Sequence, residues 1–302
     1  MITAESVKQL REKTGCGMMD CKKALTESNG DMERAVTLLR EKGLATAAKK
    51  ASRIASEGIV NVEIRNNIGV IAEVNAETDF VAKNDEFIQF VADITNQIIV
   101  NNPADVTALT EQKFLKNDAI TIGELLTEKI SKIGENLNIR RFARLEGVVE
   151  GYIHGNGRIG VLVQFETSDE IAKTEQFKEF AKDMAMQVAA ASPQFVNTED
   201  VDSGMLEKEK EILTAQALAE GKPEKIVEKI VDGRIAKFYK EICIYEQGFI
   251  KDPDIPVKDV IKQHEQSLGG NIKIISFIRF EKGEGIEKKD ECFADEIANM
   301  IK

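Results

Sequence analysis

Six residues, Gly155 to Gly160, read GNGRIG and match the G-x-G-x-x-G spacing that cradles a dinucleotide pyrophosphate. That chemistry needs the glycines to open a helix after a strand, so that backbone N–H groups and the helix dipole meet the phosphates. Here the run continues as Val161-Leu162-Val163-Gln164-Phe165, which has the pattern of a strand. The glycines therefore read as those of a hairpin turn. Only two histidines occur, His154 and His264, and neither has cysteine partners at metal-ligand spacing. Cys16 and Cys21 have no second pair to complete a metal set and read as reduced, partly buried thiols. No nucleophile elbow, metalloprotease helix or P-loop is present. The sequence thus predicts no covalent chemistry, no cofactor and no metal of the chain's own.

Two other stretches invite contact chemistry. Thr78-Asp79-Phe80-Val81-Ala82-Lys83-Asn84-Asp85 lies between a strand and a helix, with Thr78 and Asn84 both able to cap helical turns. Phe80 in so polar a loop has two readings: a staple packed on the following helix, or an exposed wedge for a partner with Asp79 beside it. Thr14 to Met19 reads TGCGMM, and Met18 and Met19, being adjacent, cannot both face one helical interior. One of them either packs loosely on a small core or gives an adaptable surface.

The elements that must hold these residues follow from periodicity. Residues 4–42 read as three short helices. Thr3 can cap the first, and Gly15 can end it in the left-handed conformation. Met18, Cys21 and Leu25 recur at helical spacing in the second, and Asp31 can cap a third whose inner face is Met32, Ala35, Val36 and Leu39. An Ala-rich segment with Lys49, Lys50 and Arg53 follows as a linker helix.

An internal repeat organises the rest. Phe87, Phe90, Asp93 and Gln97 match Phe177, Phe180, Asp183 and Gln187 at an offset of 90. Thr121 to Glu146 matches Pro256 to Glu281 at an offset of 135, and Thr121 with Glu124 forms a capping box. The 45 extra residues are expected to hold two antiparallel helices, 203–219 and 223–239, about a Glu220-Gly221-Lys222 turn, with Leu206, Leu213 and Ala217 facing Ile226, Ile230 and Val231. Where the first half has TDFVAKND, the second has TSDEIAKTE, and the aromatic is gone.

The expected fold class is α+β: an N-terminal three-helix bundle (1–43), a linker helix (44–57) and two related subdomains of antiparallel sheet plus helices (58–146 and 147–281). A helical hairpin is inserted at about 200–243, and a C-terminal module (282–302) closes the chain with a helix from Cys292 to Ile301. With 302 residues, 31% charged and a net charge of −11, the chain is globular and acidic, which argues against nucleic acid as a direct partner. No apolar run reaches membrane-spanning length, no signal-peptide core opens the chain, and four cysteines make no disulfide framework, so a cytoplasmic, reducing setting is expected.

TGCGMMDCKKAL (Thr14 to Leu25), NGD (Asn29 to Asp31), TDFVAKN (Thr78 to Asn84), KIGENLNIRR (Lys132 to Arg141), RIGVLV (Arg158 to Val163) and SFIRFEKGEGIEK (Ser276 to Lys288) come in one order along nearly the whole chain. Together they resemble the bacterial elongation factor Ts family. Cys16 stands where that family often has Ala, and Asn84 where Asp is also common. The resemblance implies a non-enzymatic guanine nucleotide exchange factor for the GTPase elongation factor Tu in translation. It also implies that the bundle is of the ubiquitin-associated (UBA-like) type and docks on the nucleotide-binding domain of the GTPase through Met18, Met19 and Asp20. By the same resemblance Thr78, Asp79, Phe80 and Val81 are the loop that disturbs the nucleotide and magnesium site, and the second subdomain grips the third domain of the GTPase. The hairpin leaves a homodimer and a 2:2 heterotetramer with elongation factor Tu both open.

Two rival classes remain for the residues alone. A UBA-type adaptor without exchange activity would explain the bundle but not the duplicated core. An enzyme binding a nucleotide at GNGRIG would show direct, saturable binding of GDP or NAD.

Overall fold

The computed structural model describes residues 2–14 and 16–287; the expectations for Gly15 and for a helix from Cys292 to Ile301 lie outside them. Three helices open the chain: α1 (Ala4–Thr14), α2 (Met18–Glu27) and α3 (Met32–Lys50). Thr3 accepts the Ser6 N–H at 3.1 Å and Asp31 accepts the Arg34 N–H at 2.9 Å, so both expected caps form. Asn29 and Gly30 take positive φ and turn the chain between α2 and α3. Val7, Leu10, Cys21, Ala24, Leu25, Ala35 and Leu39 bury one small core between the three.

Two expectations are corrected here. Met18 is not part of that core, being 58% exposed, with Met19 at 64%. As the first residue of α2 it leans back past the helix start, beyond the reach of the core. The third helix also does not end before a separate linker helix at 44. It runs unbroken through Gly43 to Lys50, because Gly43 lies against Ser131 and Thr127 and the packing offsets the helix cost of glycine, about 1 kcal/mol.

The duplicated part begins with β1 (Glu57–Arg65) and β2 (Ile68–Ala76), joined by Asn66 and Asn67, both at positive φ as a tight hairpin requires. Then come α4 (Asp79–Ala82), α5 (Asp85–Asn101), α6 (Val106–Glu111), the small hairpin β3 (Lys113–Phe114) and β4 (Asn117–Thr121), α7 (Ile122–Ile133) and β5 (Asn138–Glu146). The second copy is β6 (Val148–His154), β7 (Ile159–Glu166), α8 (Asp169–Ala172), α9 (Glu175–Ala191), the inserted α10 (Ser203–Ala219) and α11 (Glu224–Ile242), then β8 (Gly248–Phe249), β9 (Asp252–Pro256), α12 (Val257–Leu268) and β10 (Lys273–Glu281). The sheets are ordered β1-β2-β5 and β6-β7-β10, the same topology twice. β6 runs antiparallel to β7 from Val148 opposite Phe165 to His154 opposite Ile159, and GNGRIG supplies the turn between them. The fold is α+β with small antiparallel sheets.

By packing, the chain divides into two compact units. One takes the N-terminal stretch to Asn61, Ala72–Phe142 and the return from Glu281; the other takes Val62–Ile71 and Ala143–Phe280. In the first, α5 buries Phe87, Phe90, Val91, Ile94 and Ile98. In the second, α9 buries Phe177, Phe180, Ala181, Met184 and Val188 with Val161, Val163, Phe165 and Ile274. Polar details repeat as well. Gln97 accepts the Leu115 N–H at 3.0 Å and donates to Lys113 O at 2.9 Å, while Gln187 accepts the Ile250 N–H at 2.8 Å and donates to Gly248 O at 3.2 Å. Asp93 pairs Lys116 at 2.7 Å, and Asp183 pairs Lys251 at 2.7 Å. Each half thus pins its long helix to its small hairpin by the same two side-chain anchors.

The inserted helices close on Ala217, Val227, Val231 and Ile235, with Arg234 bidentate on Glu220 at 2.9 and 2.8 Å beside the turn. Ile226, expected in this seam, is 45% exposed. The seam recurs every four residues from Val227, and Ile226 lies one residue, about 100° of helix, away from it.

Candidate functional site: a braced, exposed phenylalanine turn

The backbone of residues 77–84 is fixed from inside by its own side chains. Thr78 caps α4, its Oγ1 accepting the Val81 N–H at 3.4 Å, and Asn84 caps α5, accepting the Glu86 N–H at 2.8 Å. The Lys83 N–H returns to Asp79 O at 3.2 Å and Phe80 O at 3.3 Å. Ala82 is buried beneath the turn and Val81 is half-buried. Phe80 stands 81% exposed, which excludes its role as a staple on the following helix. An apolar ring held in water on a tightly capped turn is unfavourable for the free protein and suited to a partner's pocket.

Asp79 flanks the ring. Its half-exposed carboxylate takes a hydrogen bond from Lys83 at 2.6 Å, and this bond holds its pKa below the usual aspartate value. Burial offers little opposition, so the carboxylate is ionised at neutral pH.

A second loop braces the turn from outside. Gly134 ends α7 in the left-handed conformation, and Glu135 and Asn136 lead into β5. Glu135 accepts both the Thr78 N–H at 3.0 Å and the Thr78 hydroxyl at 2.7 Å, one on each carboxylate oxygen. Glu77 returns the exchange by accepting the Asn136 N–H at 2.6 Å. Asn136 donates to Arg53 O at 2.8 Å, and the Lys50 ammonium donates to Gly134 O. Glu86, at the start of α5, meets Lys129 at 2.7 Å and Lys132 at 2.8 Å on α7. Burial raises the Glu86 pKa, but the two ammonium groups outweigh it and hold the carboxyl below the usual glutamate range.

Of the expected residues, Thr78, Asp79, Phe80 and Val81 share this one turn. Met18, Met19 and Asp20 form the first turn of α2, where Asp20 pairs with Lys42 and both methionines face solvent. Among the described residues no hydrogen bond or ion pair joins the two groups. Sequence reading gives Glu77, Glu135 and Asn136 no individual role and places Arg53 only on a linker helix, whereas here the Arg53 carbonyl accepts from Asn136 beside the turn. Two signals for Glu135 lie in the sequence: its place in the KIGENLNIRR motif, and the repeat, where Gly134-Glu135-Asn136 faces Gly269-Gly270-Asn271.

Other chemistry-bearing side chains among the described residues are held in structural roles. Half-buried His264 donates from Nδ1 to Val260 O at 2.8 Å and packs against Phe180, 4.5 Å from ring centre to ring centre. Burial raises the thiol pKa of Cys21, and that of Cys243 to about 11. Among the described residues no group of three His, Cys, Asp or Glu could hold a metal ion, and no helix is long and apolar enough to cross a membrane.

The sequence profile described as Elongation factor TS matches residues 77–284, from the first residue of the braced turn onward. The chain is 55% identical to elongation factor Ts of Clostridium kluyveri over 306 residues, covering 100% of this chain and 99% of that protein. It is 51% identical to elongation factor Ts of Clostridium novyi and of Clostridium botulinum, again covering 100% of this chain and 99% of each relative. A profile match over more than half of its length and full-length relatives above half identity establish that this chain belongs to the elongation factor Ts family.

Proposed function

We propose that this protein is a guanine nucleotide exchange factor for elongation factor Tu in the bacterial cytoplasm, acting by contact and without covalent chemistry. Phe80, 81% exposed on a turn capped by Thr78 and Asn84, is the observation that carries this reading. In the bound state the ring enters the GTPase beside its nucleotide site, and Asp79 helps to disturb the magnesium site there. Met18, Met19 and Asp20 seat the bundle on the nucleotide-binding domain, while the second half of the core holds the third domain.

Mg²⁺ is the largest local charge among the GDP phosphates, and displacing it leaves phosphate oxygens facing one another. GDP then loosens. The coupling is reciprocal, so the exchange factor and GDP weaken one another by the same factor. Preference for the nucleotide-free GTPase drives release; equal affinity for both states would shift nothing. The net charge of −11 opposes any direct grip on GDP, so the nucleotide is moved through the protein around it. The test is release of labelled GDP from elongation factor Tu with catalytic amounts of this protein. Rapid, multiple-turnover release supports the reading, and the slow basal rate in the presence of folded protein contradicts it.

A further inference from the structure

The two halves of the core provide an internal control. The offset of 90 places Thr167 opposite Glu77, Ser168 opposite Thr78 and Glu170 opposite Phe80; the offset of 135 places Gly270 opposite Glu135. Both halves keep the sheet order, the capped four-residue helix, the buried glutamine and the Asp–Lys pair. Ser168 caps α8 as Thr78 caps α4, accepting the Ile171 N–H at 3.3 Å. What the second half lacks is the brace. Both carboxylates are missing together with the aromatic, and the Thr167 hydroxyl is buried without a partner. The larger Ile171 occupies the vacated space, because a Cβ on residue 270 would lie 2.5 Å from its Cδ1.

The strand, cap and helix of this unit therefore form without a glutamate at that place. A structural explanation for Glu135, that the fold needs it, is met by a second copy that folds the same way without it. The carboxylate is present only where a phenylalanine is displayed. We infer that Glu135 is a positioning residue for exchange, fixing the Phe80 turn through its paired hydrogen bonds to the Thr78 N–H and hydroxyl. The inference rests on the exchange reading proposed above. The caps act within the turn, and the Glu77–Asn136 bond ties only its entry to the second loop, so neither fixes Thr78 itself. The two Glu135 bonds fix it, so the ring arrives already oriented and little order is lost on binding.

The test is a double-mutant cycle on the full chain, with release of labelled GDP from elongation factor Tu as readout and far-UV circular dichroism as the check on folding. Glu135→Ala is expected to keep its fold and to slow release at saturating concentration by about tenfold, with the half-saturating concentration moved by less than about threefold. Glu135→Gln, which offers one acceptor oxygen to two Thr78 donors, is expected to fall between. In the Phe80→Ala background the same Glu135→Ala change is expected to cost less than about twofold, since there is no ring left to position.

Wild-type rates for Glu135→Ala overturn the inference, as does an equal fold-loss with and without Phe80. Unfolding of both Glu135 variants overturns it too, because the second half predicts a fold independent of this residue. Acceleration by the wild type that Phe80→Ala leaves untouched also overturns it. Absence of acceleration by the wild type instead removes the exchange reading on which it rests.

Discussion

Replacing Glu73 by Gln tests how the returning chain is held to the first unit. Glu73 lies on β2 with no exposure at all. Its carboxylate accepts from Arg140 at 3.0 Å, Arg141 at 2.6 Å, the Asn75 amide at 3.1 Å and the Gly283 N–H at 2.8 Å. Gly283 is at φ +71°, and a Cβ there would lie 2.3 Å from Ser56 O, so the returning backbone comes as close as glycine allows. Glu73→Gln keeps the shape but removes the charge and turns an NH₂ toward one of the donors. Losing one member of a buried ion pair costs about 3–5 kcal/mol. The guanidiniums here retain 23% and 30% exposure and have Glu284 as a further partner. The loss should therefore lie at the low end, about 3 kcal/mol at pH 7. For a unit of this size that is a fall in Tm of roughly 6–12 °C, read by circular dichroism.

The pH dependence supplies a sign. Burial raises the Glu73 pKa, but the bonds from Gly283, Asn75, Arg141 and Arg140 together pull it below the usual glutamate value. A lowered folded pKa gives stability that is complete above the unfolded value, about 4.3, and lost as pH falls through the folded one. The gap between wild type and Glu73→Gln should hold from pH 7 to 5 and close below about pH 4. A loss under about 1 kcal/mol at pH 7, or an undiminished gap in acid, refutes the reasoning.

Further expectations follow from other elements. Cys243, buried with its pKa raised to about 11, should resist iodoacetamide in the folded protein at pH 8, where on the order of one thiol in a thousand is ionised, while half-buried Cys16 reacts before it; peptide mass mapping reads the order of the two. Met18→Ala with Met19→Ala should change stability by less than about 1 kcal/mol, since neither side chain is in the bundle core, yet weaken binding to elongation factor Tu about tenfold or more in calorimetry. Gly58→Ala should be poorly tolerated, with loss of soluble yield or a lowered Tm, because φ is +127° and a Cβ would lie 2.1 Å from Val74 O.

What could be read from residues was whatever is local or periodic. The Thr121–Glu124 capping box forms with bonds of 3.1 and 2.7 Å, α5 and α9 bury the expected stripes, and the extra residues of the second half hold two helices about Glu220-Gly221-Lys222. The GNGRIG glycines turn a hairpin, as their context implies, since a strand and not a helix follows them. Features set by tertiary contact left little trace. Glu73 interrupts an apolar strand, but nothing local reveals that its partners lie at 140, 141 and 283. Gly43, where the bundle is expected to end, is instead interior to α3 and packs against Ser131 and Thr127 of α7. Pattern alone favours a staple over a wedge for Phe80, and its exposure reverses that order. The brace from Glu135 links residues 57 positions apart and shows in sequence only as one difference between two copies.

The central claim is that an exposed aromatic on a braced turn drives nucleotide release, and its most direct test is the Phe80→Ala variant in stopped-flow release of labelled GDP from elongation factor Tu. The ring is in water in the free protein, so the variant should fold and melt within about 0.5 kcal/mol of wild type. Truncating a buried wedge at an interface costs about 2 kcal/mol or more, which is roughly thirtyfold in release at subsaturating concentration. A stable variant with release slowed to that degree is the predicted result. A stable variant that releases GDP as fast as wild type contradicts the account and leaves Phe80 without a part in exchange.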